Sequence, residues 1–114
     1  MTVTGNDFST STTSGLGLFG IDLTAGADPA DTGTLCAHLF NNAAAIGDPT
    51  LWGIQAQTVS GTPVLELEGY GGPANNTAQI NAFLDTTATT VTPPSQSFIF
   101  AGTIRGASAP CPTP

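Results

Sequence analysis

The chain has 114 residues, the size of one domain, and carries one Lys or Arg against eight Asp and Glu, for a formal net charge of −7. That single cation is Arg105, so partners that demand clustered basic side chains, nucleic acid and anionic membrane surfaces, are excluded. The remaining composition, rich in Thr, Ser, Asn, Gly and Ala with only 8% charged residues, describes a surface of hydroxyls and amides. The apolar residues fall in short runs that suit a packed fold rather than disorder.

The first residues, Met1-Thr2-Val3-Thr4-Gly5-Asn6, lack the basic and apolar regions of a signal peptide. No stretch is apolar for the roughly 18 residues that a membrane helix requires. If the protein is exported, this is expected to be a piece of a longer chain. Val3 and Thr4 read as a strand that ends in an Asn turn at Asn6. Gly15, Gly17 and Gly20 mimic a phosphate-binding spacing, but no Lys follows them and no βαβ unit surrounds them.

The run Leu18-Phe19-Gly20-Ile21-Asp22-Leu23 then introduces the most informative feature. It returns 33 residues later as Leu51-Trp52-Gly53-Ile54-Gln55-Ala56. The second copy is also preceded by a strand and an Asn turn, Leu39-Phe40-Asn41-Asn42. A period of this length marks stacked supersecondary units. In a solenoid, aliphatic side chains of successive layers line an interior column, and Asn suits the corners because it tolerates the left-handed conformation. Phe19 and Trp52 are expected to stack inside, with Gly20 and Gly53 supplying a tight bend or bulge. Asp22 has Gln55 as its echo, so no carboxylate ladder forms.

Asp28 and Asp31, with Asp48 further on, would bind calcium only weakly, since no Gly-Gly-x-Gly-x-Asp repeat accompanies them. The next strand is Thr34 to Phe40. Leu35, Ala37 and Leu39 share one face and Cys36, His38 and Phe40 the other. Val64 to Glu68 alternates likewise, with Leu65 and Leu67 inward and Glu66 and Glu68 outward. Gly69-Tyr70-Gly71-Gly72-Pro73 turns the chain into the single convincing helix. It begins with Asn75 or Asn76 as N-cap and places Ile80, Phe83 and Leu84 on one face. Thr86 to Ser97 is Thr- and Pro-rich and reads as an exposed loop. Ser97 to Gly102 is apolar on both faces and is expected to be a buried strand. The tail Pro110-Cys111-Pro112-Thr113-Pro114 cannot form regular structure.

Several groups could carry chemistry. Glu66 and Glu68 project from one strand face two residues apart, a spacing that suits the mutual proximity of a glycoside-cleaving pair, but the solvated polar face of a sheet is the reading favoured for them. Cys36 and His38 share a face and would form a nucleophile pair only if Cys36 were reduced; two such ligands are too few for zinc. Arg105 is expected to pair with a carboxylate. Trp52, Phe19 and Tyr70 are candidates for stacking on sugars. Asn75-Asn76-Thr77 matches a glycosylation acceptor. Cys36 and Cys111 allow one intramolecular pairing, worth about 4 kcal/mol on a chain-entropy argument. As free thiols they would pack as small hydrophobes.

The latter two thirds of the chain resemble a segment near the end of right-handed parallel β-helix regions in very large bacterial secreted or outer-membrane repeat proteins, of the autotransporter and filamentous-haemagglutinin-like adhesin type. The stretches that carry the likeness are Asp31-Thr32-Gly33-Thr34-Leu35-Cys36, Phe40-Asn41-Asn42, Leu67-Glu68-Gly69-Tyr70-Gly71-Gly72, the helix Ala78 to Leu84, and Cys111-Pro112-Thr113-Pro114. The resemblance implies a short parallel β-helix with a helical insertion, a Cys36–Cys111 disulfide, a place on the bacterial cell exterior and no catalytic residues. One departure is the uncharged Ile54-Gln55-Ala56-Gln57, where segments of this type often carry an Arg-bearing strand before the Gly-Tyr-Gly motif.

The expectation is therefore an all-β, right-handed β-solenoid domain of about three rungs. Residues 1–70 form the rungs, 71–86 the turn and helix, and 87–114 a loop, a last strand and a disulfide-stapled tail. Its expected role is structural or adhesive, without cofactor or metal, and its partners are neighbouring rungs of a longer chain or further copies of itself. A glycan- or host-protein-binding module contacting its ligand through Tyr70, Glu66 and Glu68 is the second expectation, and a polysaccharide-cleaving fragment the third.

Overall fold

A computed structural model describes residues 2–4, 19–45 and 52–112, and it is mostly β with one short helix. The elements run β1 (Thr2–Thr4), β2 (Phe19–Ala25), β3 (Thr34–Phe40), β4 (Asn42–Ala45), β5 (Trp52–Thr58), β6 (Val64–Leu67), α1 (Thr77–Thr86), β7 (Ala88–Thr92), β8 (Gln96–Ile99) and β9 (Thr103–Gly106). The strands form three separate, unclosed sheets, ordered β1-β3-β6-β9, β2-β5-β8 and β4-β7. Every pairing among these described strands is parallel. The expected all-β class is therefore observed.

The 33-residue echo is a pairing register. Ile21 lies opposite Ile54, Leu23 opposite Ala56 and Asp22 opposite Gln55. The strands that precede the two copies also pair, Val3 with Leu39 and Thr4 with Phe40. Between β3 and β4 the chain turns at Asn41, which adopts the left-handed conformation at φ 53°, as its short amide side chain permits. Asn6, Leu18, Leu51, Gly15, Gly17 and Asp48, and the side chain of Phe19, lie outside the described residues.

Period-2 alternation decides what is buried. Ile21, Leu23, Ala37, Leu39, Ala44, Ile54, Ala56, Leu65, Leu67 and Ile104 form one core with Ile80 and Leu84 of the helix. Each large aliphatic side chain so buried contributes roughly 1.5–3 kcal/mol. The helix is capped by Asn76, whose side chain accepts from the Gln79 N–H at 3.1 Å. It packs against β7 and β8, with Ile80 and Leu84 fully enclosed.

Four expectations change. Gly20 and Gly53 sit inside β2 and β5 rather than in bends. A Cβ on Gly53 would lie 2.5 Å from the Ala44 carbonyl oxygen and 2.8 Å from that of Pro93, so the residue is small because two neighbouring backbones approach it. Trp52 meets Phe98, at 5.2 Å between ring centroids, a neighbour the sequence did not suggest, while the expected stack on Phe19 falls outside the described side chains. The Thr- and Pro-rich stretch after the helix is not a loop: Ala88–Thr92 pairs with β4 as β7, which Thr, a good strand former, favours. The apolar run after it ends at Ile99; Phe100 is 69% exposed, and a further strand, β9, follows.

Candidate functional site

The outward side of β3, β6 and β9, with Glu68 just beyond β6, gathers His38, Glu66, Glu68 and Arg105. Parallel register brings Cys36, Glu66 and Arg105 side by side across three strands. Arg105 donates from Nε and Nη2 to Glu66 Oε1 at 3.2 and 2.8 Å. Just beyond β6, Glu68 Oε2 accepts from the Cys111 backbone N–H at 2.7 Å and lies 3.7 Å from His38 Nδ1. Cys36 and Cys111 are joined by a disulfide, with their Cα atoms 5.5 Å apart, inside the span such a bond requires. The tail therefore docks on β3 and on Glu68 together.

This arrangement answers three sequence expectations. Cys36, being oxidised, has no thiolate to share with His38. Arg105 has the carboxylate partner expected of it. Glu66 and Glu68, candidates for ligand contact or for an acid and base pair, are each already engaged: Glu66 by a guanidinium, Glu68 by the tail and an imidazole. Alternation in the sequence placed Cys36 and His38 on one face of β3 and Glu66 and Glu68 on one face of β6, but the partners of the two carboxylates come from β9 and the tail, which no local spacing reveals.

The end of the β6–β9 sheet has its own closure. Asn75, at φ 58°, presents both its backbone and its side chain to β9: its N–H donates to the Ile104 carbonyl at 2.8 Å, and its Oδ1 accepts from the Ile104 N–H at 2.8 Å. One residue thus takes up the outward-pointing N–H and carbonyl of Ile104 in an edge strand. Next to it, a Cβ on Gly106 would collide with the Tyr70 carbonyl oxygen. The residue read as a helix start and glycosylation acceptor is therefore an edge cap, and only the fold brings it to β9.

Tyr70 requires a correction. Expected as an exposed, ligand-stacking ring, it is 7% exposed, with its hydroxyl donating to the Pro73 carbonyl at 2.8 Å and its ring 5.6 Å from that of Phe83. Burial pushes its phenol above the ordinary value, because the phenolate would have to shed water. The surrounding glycines suggested an exposed turn; the helix that folds over them removes the ring from solvent.

The outward side of β2, β5 and β8 is chemically different. Asp22, Gln55 and Gln96 form one cross-strand row, and Thr24, Gln57 and Phe98 the next. Gln55 donates to Asp22 at 3.3 Å, Gln57 to Thr24 at 3.0 Å, and Asn81 of α1 to Gln96 Oε1 at 3.3 Å. Beside these rows the rings of Trp52, Phe98 and Phe100 run in contact, with centroids 5.2 and 5.9 Å apart.

Among the described residues, no three His, Cys, Asp or Glu side chains converge as a metal site would require. Asp28 and Asp31 instead accept backbone N–H groups at their own corner, from Ala30 and from Asp28 at 2.8 and 3.0 Å. A cleft of about 280 Å³ opens between the end of β2, the start of β3 and Pro63, with Asp31 as its only ionisable lining group. It lies just below the ~300–1,000 Å³ that small-molecule sites span. No family model matches the chain, and no curated protein or solved structure proves significantly similar to it.

Proposed function

We propose that this chain is a terminating segment of a right-handed parallel β-helix in a secreted or surface-anchored bacterial repeat protein of the adhesin type, with a structural rather than catalytic role. Parallel pairing at a 33-residue offset, inward aliphatic columns and Asn at a corner support the solenoid reading. The disulfide supports an oxidising, extracellular setting. The engagement of Glu66 and Glu68 by fixed partners supports a role without chemistry.

The observation that carries the proposal is the bracket of Asn75 on Ile104. A solenoid that continued past β9 would pair that backbone with another rung. Here a single residue occupies it, while α1 lies against β7 and β8. A stack ended in this way cannot template the pairing of a further strand, which is how natural sheets avoid edge-to-edge aggregation.

Removing the cap tests this. A variant that combines Asn75→Gly with replacement of residues 77–86 by a short Gly/Ser linker should pass from monomer to self-associating β-rich species in sedimentation velocity. A folded variant that stays monomeric at high concentration would refute termination. Turnover of pectin, alginate or glucan by the intact chain would refute the non-catalytic role.

A further inference from the structure

The outward side of β2, β5 and β8 joins one exposed ring, Phe100, and the half-buried rings of Phe98 and Trp52 to a supply of uncharged hydrogen-bonding groups. We propose that it binds a neutral polysaccharide, with Phe100, Phe98 and Trp52 as the stacking platform and Gln57 and Gln96 as the polar contacts. This inference goes beyond the terminating role and does not depend on it, and it moves ligand binding away from Tyr70, Glu66 and Glu68.

Three observations support it. First, the rings form a continuous strip. Phe98 and Phe100 lie 5.9 Å apart at an interplanar angle of 7°, and Trp52 meets Phe98 edge-on. Phe100, 69% exposed, gains nothing from water, and the flat negative face of an aromatic ring attracts the C–H face that a pyranose presents. Second, the amides are committed on one side only. Gln57 uses Nε2 on Thr24 and Gln96 uses Oε1 on Asn81. This leaves an amide oxygen and an amide nitrogen, one acceptor and one donor, for sugar hydroxyls.

Third, charge selects among ligands. The chain's single strong cation, Arg105, is bound to Glu66 on another sheet, and the nearest ionisable group in the amide rows is the acidic Asp22. Against a net charge of −7, a uronic or sulfated polymer meets repulsion and no counter-charge. An uncharged glycan meets neither.

The sequence contains one Trp, so its fluorescence reports from within the proposed platform. The wild-type chain would be titrated with β-glucan, mannan and chitin oligosaccharides, and with pectic and alginate oligosaccharides as anionic counterparts. The expected result is a saturable Trp52 shift with at least one neutral series, weakened about tenfold by Phe100→Ala with unchanged melting temperature, and weakened also by Gln57→Ala. Absence of a shift with every neutral glycan would overturn the proposal. So would preference for the anionic polymers, or an affinity indifferent to Phe100→Ala. Self-association of the ligand-free protein that Phe100→Ala abolishes would also overturn it, assigning the strip to a second copy of the chain.

Discussion

The two outward sheet surfaces treat their polar residues in opposite ways. On β3, β6 and β9 every ionisable group is tied to a partner on a neighbouring strand or the tail, by a disulfide, by a guanidinium on a carboxylate, or by a carboxylate on the tail. On β2, β5 and β8 the groups are amides, a hydroxyl, rings and the single carboxylate of Asp22, linked in rows but with hydrogen-bonding capacity unspent. The first surface holds neighbouring strands and the tail together. The second carries one carboxylate, no cation and unspent hydrogen-bonding groups, which is why the proposed glycan binding is assigned to it.

The largest test of this contrast is covalent. Replacing Cys36 and Cys111 together by Ser should lower unfolding free energy by about 4 kcal/mol, by the entropy of the loop they close. Denaturant melts check this, and a loss under ~1 kcal/mol would show that Glu68 and the surrounding packing hold the tail unaided. Leu84→Ala, at a fully enclosed position of α1, should cost about 2–5 kcal/mol through lost burial and the cavity left behind. Asn75→Gly keeps the positive φ and removes only the side-chain acceptor, so it should cost about 1 kcal/mol.

Smaller effects follow. Arg105→Ala should cost no more than about 1 kcal/mol and its effect should shrink with added salt, because half of the arginine side chain is in water. Thr58→Val should be neutral or stabilising by up to ~1 kcal/mol, since the buried Thr58 Oγ1 has no hydrogen-bond partner. Tyr70 gives a pH signature. Its folded-state pKa is raised, so the stability it contributes is complete below the unfolded value of about 10 and is lost as pH rises beyond it. Tyr70→Phe should blunt that alkaline decline in a melt-versus-pH series.

The layered pairing was legible in the sequence because its signals are local and repeated. The aromatic-Gly-Ile echo predicts the β2–β5 register, and alternation predicts the inward residues of β3 and β6. The missing elements have physical reasons. Ala88–Thr92 presents only small or partly buried apolar residues and is followed by Pro93 and Pro94, so it looks like a loop until β4 supplies its partner. Thr103–Gly106 contains a single buried aliphatic, Ile104, too short a pattern for alternation to register. The exposure of Phe100 and the burial of Tyr70 depend on where the last strand and the helix come to rest, and no neighbouring residue encodes either.

The bridge between Cys36 and Cys111 also sets how the molecule would bear mechanical load. Cys36 lies in β3 and Cys111 beyond β9, with β6 between those strands in the sheet. Tension arriving from downstream reaches the sulfur link before it reaches β9, and passes to β3 without stretching residues 37–110. The helix, the edge cap and the aromatic strip are thereby shielded from pulling, and the force is delivered to the layers nearer the start of the chain.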